Sequence, residues 1–221
     1  VACTPDGKYG VSGGADGAAR LWDLGRGETA RRFEGDRAGV TCVAVSADGT
    51  TVATWGHGDS PQAPGGLPRD ARVNGTVQLW DIAGPRPRAT VREPDMDPVG
   101  VTLSPDGNVA AVNYRGLPVG PGAAPGRHTA LLDARTGKLL RKVSDRARTV
   151  DEYHLAFAPD GATLAEVDSA ATVRLFRVAD GSPAGVHRLA GAVPMRGYRV
   201  RYVGPDRAVV WAPTGGRAVA W

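Results

Sequence analysis

A short turn sequence recurs five times along this chain and constrains the fold more than any other feature. It ends in aspartate, usually followed by glycine, with proline or alanine before the aspartate. Its copies lie at residues 4–7, 46–49, 104–107, 158–161 and, without the glycine, 204–206. A second sequence, with a large apolar residue at its end, follows each turn at residues 20–23, 78–81, 130–133, 174–177 and 219–221. Because the two alternate throughout, the chain consists of internal repeats.

The spacing of the turns gives the size of the repeat. The aspartates of successive turns are separated by 42, 58, 54 and 46 residues, so the basic period is 42–46 residues. The second and third repeats carry about 16 and about 10 additional residues, in the same segment of each repeat. A period of this size is typical of stacked copies of one supersecondary unit.

Each repeat divides into four short apolar or alternating segments, which predicts four strands, a to d in chain order. Strand a of the second repeat is predicted at residues 40–45, strand b at 51–55 and strand c at 76–80. Strand d is predicted at residues 30–33 in the first repeat. The turn between strands a and b suits a tight reversal, because proline fixes φ and glycine accepts a positive φ.

Composition excludes several classes of protein. The 31 glycines and 17 prolines among 221 residues exclude a helical bundle, since both residues break helices. No apolar run approaches the roughly 20 residues that a transmembrane helix needs, so no membrane segment is expected. Two cysteines, Cys3 and Cys42, are too few for a disulfide scaffold, and we expect both to be buried in inner strands.

The turns and the Leu-Trp-Asp sequences at residues 21–23 and 79–81 resemble the WD40 repeat family, over essentially the whole chain. The resemblance implies an all-β fold, a β-propeller of four-stranded antiparallel blades. About four and a half to five blades are expected, in repeats at approximately 1–35, 36–94, 95–145, 146–191 and 192–221. The positions that define the repeats are Asp6, Asp16, Trp22, Asp23, Asp48, Asn74, Trp80, Asp81, Asp106, Asp133, Asp160, Phe176 and Trp221.

The sequence starts at the end of a strand a and stops at the end of a strand c. We therefore expect a segment cut at both ends from a longer propeller, whose remaining blades would be partners of this one. No leader sequence is visible, and a cytoplasmic location is favoured.

In the WD40 family four residues of a repeat form a hydrogen-bonded tetrad, and this sequence matches its aspartate position only in part. Its aspartate corresponds to Asp16 in the first repeat and to Asn74 in the second. Gly126, Ala170 and Gly215 stand at that position in the later repeats and cannot replace it. We therefore expect apolar packing between blades, rather than polar networks, to stabilise the fold.

The two longer repeats carry their additional residues between strands b and c, at about 56–72 and 114–127. In a propeller these loops emerge on the same face as the d–a loops, including a charged loop predicted at 144–152, and the resemblance implies that this face binds partners. The functional reading is a partner-binding rim with Trp55 and Tyr114 as aromatic anchors. The alternative is tolerated decoration, because long surface loops cost little entropy. The candidate rim residues are Trp55, His57, Asp59, Arg69, Tyr114, Arg115 and Leu117.

No catalytic or metal site is expected. His57, Asp59 and Ser60 are the residue types of a catalytic triad, but they are crowded into one glycine-rich loop, whereas a triad needs separately oriented partners. Nothing fixes a metal geometry around them, and no cofactor is expected. The alternation of Arg199 and Arg201 with apolar residues indicates a half-exposed strand rather than a nucleic-acid site, since the net charge is only +4.

The sequence therefore predicts a non-catalytic scaffold that binds protein partners. An alternative from another class is a regulatory tail of a larger enzyme, such as a bacterial Ser/Thr protein kinase. That alternative rests on analogy with the family alone. A quinoprotein-type propeller enzyme is disfavoured, because no carboxylates and histidines converge in the sequence.

Overall fold

The computed structural model describes residues 1–34, 39–56, 75–116, 126–147, 153–189, 197–204, 207–211 and 218–220. Across these ranges the chain forms 19 strands and no helix, so none of them contains a helix able to span a membrane. The strands are β1 Ala2–Cys3, β2 Tyr9–Gly13, β3 Ala18–Asp23, β4 Glu28–Glu34, β5 Val40–Val45, β6 Thr51–Gly56, β7 Thr76–Asp81, β8 Pro87–Val91, β9 Met96–Leu103, β10 Val109–Gly116, β11 Gly126–Asp133, β12 Leu139–Ala147, β13 Tyr153–Phe157, β14 Thr163–Asp168, β15 Thr172–Arg177, β16 Pro183–Arg188, β17 Arg199–Gly204, β18 Arg207–Trp211 and β19 Ala218–Ala220.

Consecutive strands pair antiparallel into five sheets. The first sheet has the order β1-β2-β3-β4, the next three groups of four strands repeat it, and β17, β18 and β19 form a three-stranded sheet. Each sheet is a blade, and the first strands of adjacent blades contact one another. The predicted fold class, an all-β, incomplete propeller of four-stranded blades, is confirmed.

The recurring turn forms because its side chains bond to one another and to the adjacent backbone. In the first blade the Thr4 hydroxyl donates to Asp6 Oδ1 at 2.6 Å, and the same oxygen accepts from the Lys8 amide at 3.0 Å. Gly7 has a φ of 68°, which a glycine adopts without a steric penalty because it has no Cβ. The same hydroxyl-to-carboxylate bond joins Ser46 to Asp48 and Ser104 to Asp106.

The turns of adjacent blades also contact one another. A Cβ placed on Gly49 would lie 3.9 Å from Cδ of Pro5, and one placed on Gly161 would lie 3.5 Å from Cδ of Pro105. Between the second and third blades, the Asp48 amide donates to the Pro105 carbonyl at 2.9 Å. The repeated turn therefore joins blades as well as reversing the chain.

Four apolar cores lie between adjacent blades. Phe33 of the first blade and Trp80 of the second are almost completely buried, and their ring centroids are 5.2 Å apart. Phe176 occupies the position of Trp80 in the fourth blade and is also buried. Trp22 is only partly buried, and Trp221 lies outside the described residues. Successive side chains of a strand point to opposite faces of the blade, so Leu79 and Trp80 of β7 lie in two different cores between blades.

Tryptophan side chains also make polar contacts within the blades. Trp22 Nε1 donates to Ser12 Oγ at 2.8 Å, and Trp80 Nε1 donates to Thr54 Oγ1 at 3.1 Å. These bonds join strand c to strand b within each of the first two blades.

A buried carboxylate links the third and fourth blades. Glu166 of β14 is 1% exposed, and its Oε2 accepts from Thr129 Oγ1 at 2.7 Å and from Ser144 Oγ at 3.0 Å. Both hydroxyls belong to the third blade, so this carboxylate is satisfied across the interface between blades. A buried polar group is tolerated when its hydrogen bonds are made in this way.

The predicted loop boundaries in the third blade need correction. β10 continues through Gly116 and β11 begins at Gly126, so Tyr114, Arg115 and Arg127 lie in strands rather than in the insertion. β12 extends through Ala147, where a loop was predicted from residue 144. The reason is pairing, because the long β11 offers backbone partners along its whole edge, up to Gly126 opposite Ala147.

The two cysteines differ from one another. Cys42 is partly buried, and burial raises the pKa of its thiol, as expected for an inner strand. The prediction of burial is wrong for Cys3, which is exposed on β1. β1 pairs with β2 alone, so it is an edge strand of the first blade.

A histidine lies between the fourth and fifth blades. His154 of β13 is partly buried, and its Nδ1 accepts from the Val200 amide of β17 at 3.4 Å. Burial, together with the charge of Arg199, lowers the pKa of His154 from 6.5 to about 4. The fold therefore needs this imidazole to be neutral.

We expect this contact to weaken in mild acid. Between the unfolded pKa of 6.5 and the folded value of about 4, the unfolded state binds the proton that the folded state excludes. Stability should thus fall as the pH drops through this window, by up to about 3 kcal/mol. Urea unfolding between pH 7 and 4 would measure it, with His154→Asn as a variant that keeps an acceptor but does not titrate. Equal pH dependence in both proteins would contradict the assignment, and His187→Asn serves as a matched control on exposed β16.

Candidate functional site

The blades have two different ends. The a–b and c–d turns lie at one end, here called the a–b end. The b–c and d–a connections lie at the opposite end, here called the b–c end, which follows from the antiparallel strand order. The two insertions connect strands b and c of the second and third blades, so both leave from the b–c end of adjacent blades. Residues 57–74 and 117–125 of these insertions lie outside the described residues.

Asp97 joins the bases of the two insertions. This residue begins strand a of the third blade and is 6% exposed. Its Oδ1 accepts from the Gly75 amide, where the first insertion ends, at 3.0 Å. Its Oδ2 lies 3.9 Å from Nη2 of Arg115, just before the second insertion. One carboxylate therefore contacts the strand ends from which both insertions leave.

Packing reinforces the same junction. Pro98 lies so close to Gly75 that a Cβ placed there would be 2.6 Å from the proline Cδ. The carbonyl of Gly56, at the start of the first insertion, would be 2.9 Å from that Cβ. Only glycine fits at position 75, so the end of the first insertion is held against the third blade.

A second polar group lies on the same blade. Glu93, in the d–a connection before β9, has its Oε1 2.7 Å from Nζ of Lys142 and 3.2 Å from Nε2 of His128. His128 also stacks near the ring of Tyr114, with the ring centroids 5.3 Å apart. The d–a connection is thereby tied to strands c and d at the base of the second insertion.

The structure corrects the prediction of aromatic anchors. Trp55 and Tyr114 are 6% and 1% exposed and belong to the apolar core between the second and third blades. Their side chains follow the period of two that buries Ala53 and Val112 on the same strand faces. Burial, and then the charge of Glu93, raises the pKa of the Tyr114 hydroxyl. Both rings therefore lie in the core, next to the strand ends from which the insertions leave.

Arg115 is the candidate rim residue that the structure places at the surface, with 43% of its side chain exposed. The remaining candidates lie outside the described residues: His57, Asp59, Arg69 and Leu117. The repeat positions Asn74 and Trp221 also lie outside them. Sequence reasoning missed Asp97, Glu93 and Lys142, because each contacts residues that are distant from it in sequence.

Acid–arginine pairs occur at two other b–c turns. In the first blade Asp16 bonds Arg20, and this bond lowers the pKa of Asp16 to about 2. In the fourth blade Asp168 accepts from Arg174 Nη1 at 2.5 Å. Ala170 cannot supply the tetrad aspartate there, but an acid two positions earlier takes a similar place.

The described strand ends at the b–c end carry several ion pairs. Within the ranges that the structure describes, no three histidine, cysteine or acidic side chains cluster as metal ligands would. Its charged groups are already engaged in ion pairs that shape strand ends, with Arg115 and Lys142 partly exposed.

Comparison with known families agrees with the repeat pattern. A family model described as WD domain, G-beta repeat matches residues 1–23 and 27–81. These two segments are therefore similar to WD40 repeats. They contain both Leu-Trp-Asp sequences, and thus the Trp22 and Trp80 bonds to strand b. The third and fourth blades keep the four-stranded order, with Leu132 and Phe176 at the position of the tryptophan.

A solved structure supports the propeller fold along the whole chain. The structure is similar to that of Kuenenia stuttgartiensis hydrazine synthase, with a TM-score of 0.69 and 17% sequence identity. The match covers 99% of this chain and 69% of that chain. At this identity the likeness to hydrazine synthase shows the fold alone.

Proposed function

We propose that this chain is a non-catalytic WD40 scaffold that binds a protein partner through its b–c end. The observation that carries the proposal is Asp97, which holds the ends of both insertions on adjacent blades. Insertions that leave from strand ends in contact with the same carboxylate could contribute to one binding surface, whereas insertions without a function need no such shared contact. His57, Asp59, Arg69 and Leu117 belong to these loops, and Arg115 lies at their base.

The rigid base favours binding for a thermodynamic reason. A loop that is ordered only on binding loses conformational entropy at that moment, which weakens the complex. Anchoring both strand ends to a buried carboxylate reduces this cost. The exposed Arg115 then adds a cationic group, which steers association and selects a partner with an acidic contact.

Loop replacement tests the proposal. Arg115 lies opposite Arg127, so Asn-Gly in place of 117–125 gives a two-residue hairpin between Gly116 and Gly126. Gly56 lies opposite Thr76, so Asn-Gly in place of 57–74 gives a three-residue hairpin loop that ends with Gly75. We expect each replacement, and Arg115→Glu, to reduce capture of the same partner from a lysate of the source organism by about tenfold or more. Quantitative mass spectrometry of the captured proteins would measure this.

The matched control is Arg135→Glu, which changes an exposed arginine at the a–b end. It should leave capture unchanged. If both loop replacements and Arg115→Glu also leave capture unchanged while the proteins remain folded, the b–c end is not the binding surface.

A further inference from the structure

A groove lies between the first and second blades at the a–b end, opposite to the insertions. Its volume is about 580 Å³, within the range of ligand-binding clefts. Its floor is apolar and comes from both blades, with Tyr9 and Leu21 on one side and Ile82 on the other. Ala30 and Ala83 lie at its exposed margins, so small side chains keep it open.

Two carboxylates border the inner end of the groove. Asp6 and Asp48 belong to the recurring turns of the two blades. The Thr4 hydroxyl lowers the pKa of Asp6, so this carboxyl is ionised at neutral pH. Asp48 accepts from Thr50 Oγ1 at 2.8 Å and from the Thr50 amide at 3.0 Å, bonds that favour its charged form.

Lys8 lies near Asp6 but does not prevent another cation from binding at the inner end of the groove. Lys8 Nζ lies 3.6 Å from Asp6 Oδ2, but the two side chains are 74% and 50% exposed. An ion pair so exposed contributes little and is readily exchanged for another cation. The inner end of the groove therefore favours a positively charged group.

Arg31 lines the outer part of the groove. The aliphatic part of Arg31 extends the apolar wall beside Leu21, its partner across the strands.

We propose that this groove binds a short extended segment of a protein partner that carries an aliphatic side chain next to a lysine or arginine. The aliphatic side chain packs on Leu21 and Ile82, and the cation faces Asp6 and Asp48. The site is independent of the proposed b–c surface and would give the scaffold a second contact at its opposite end.

A phage-displayed random heptapeptide library, selected on the immobilised 221-residue chain, tests the proposal. We expect enrichment of peptides with an adjacent aliphatic and basic pair. Fluorescence anisotropy of an enriched peptide would then compare variants. Ala30→Arg, which places a large cation in the groove, should abolish binding. The double variant Asp6→Asn with Asp48→Asn should weaken binding about tenfold.

Matched controls separate binding from folding. Ala184→Arg changes an exposed alanine on strand d of the fourth blade, and Asp160→Asn changes the turn of that blade. Both should bind the peptide as the unsubstituted chain does. Asparagine keeps the Oδ1 acceptor of each turn, so the double variant tests the charge even if Ala30→Arg does not fold. Enrichment of acidic peptides, or unchanged affinity in Ala30→Arg or in the double variant, would overturn the proposal.

Discussion

Replacing Trp80 with alanine should lower the free energy of unfolding by about 3–5 kcal/mol, the range for large aromatic residues in cores. The side chain is 1% exposed, packs against Phe33 of the first blade and donates to Thr54 within its own blade. Its loss leaves a cavity between two blades. Urea unfolding followed by tryptophan fluorescence and circular dichroism would measure the change.

Two variants divide this effect into its parts. Trp80→Phe keeps most of the ring volume and loses the bond to Thr54, so we expect a cost of about 1–2 kcal/mol. Trp22→Ala removes the equivalent tryptophan of the first blade, which is only partly buried. A loss from Trp22→Ala as large as that from Trp80→Ala would show that the contact between blades is not what makes Trp80 important.

Replacing Asp168 with alanine is the second change with a large expected effect, about 3–5 kcal/mol of stability. Its carboxylate is 1% exposed and accepts from the Ala170 amide at 3.0 Å, the Thr172 amide at 2.9 Å and Arg174. Alanine would leave the largely buried Arg174 guanidinium without its counter-charge. It would also leave the Thr172 amide without an acceptor.

The contributions of charge and hydrogen bonding can be separated. Asp168→Asn keeps an acceptor for both amides but removes the charge, so its cost should lie between that of alanine and zero. Asp16→Ala removes the corresponding pair in the first blade, where both side chains are partly exposed, and should cost much less. Equal costs for Asp16→Ala and Asp168→Ala, measured by urea unfolding, would contradict the role of burial.

The repeat, the strands and the turns could be predicted because their causes are local. Thr4, Asp6 and Gly7 bond or bend within a few residues of one another, and the sequence shows all three together. The roles of Asp97 and Asp168 could not be predicted in this way. Asp97 matters because β9 of one blade lies beside the end of the first insertion, 22 residues away in sequence. Asp168 stands two positions from where the family pattern places its aspartate.

The aromatic residues at the insertions show a different limitation. Trp55 and Tyr114 adjoin long polar loops, which favoured a surface position. Strand alternation decides instead, because each continues the buried face that Ala53 and Val112 begin. Extending the period of two to the last residue of each strand would have predicted their burial. The candidate residues within the insertions themselves remain predictions, since no described contact involves them.

The contacts between blades run from each blade to the next one along the chain, through first strands, apolar cores and adjoining turns. During synthesis each blade therefore emerges from the ribosome before the next blade, whose strands cover its apolar face. Assembly can proceed vectorially from the amino terminus during synthesis, with stability accumulating interface by interface. A ribosome pausing between blades would hold one apolar face exposed, which makes the rate of translation itself a determinant of yield.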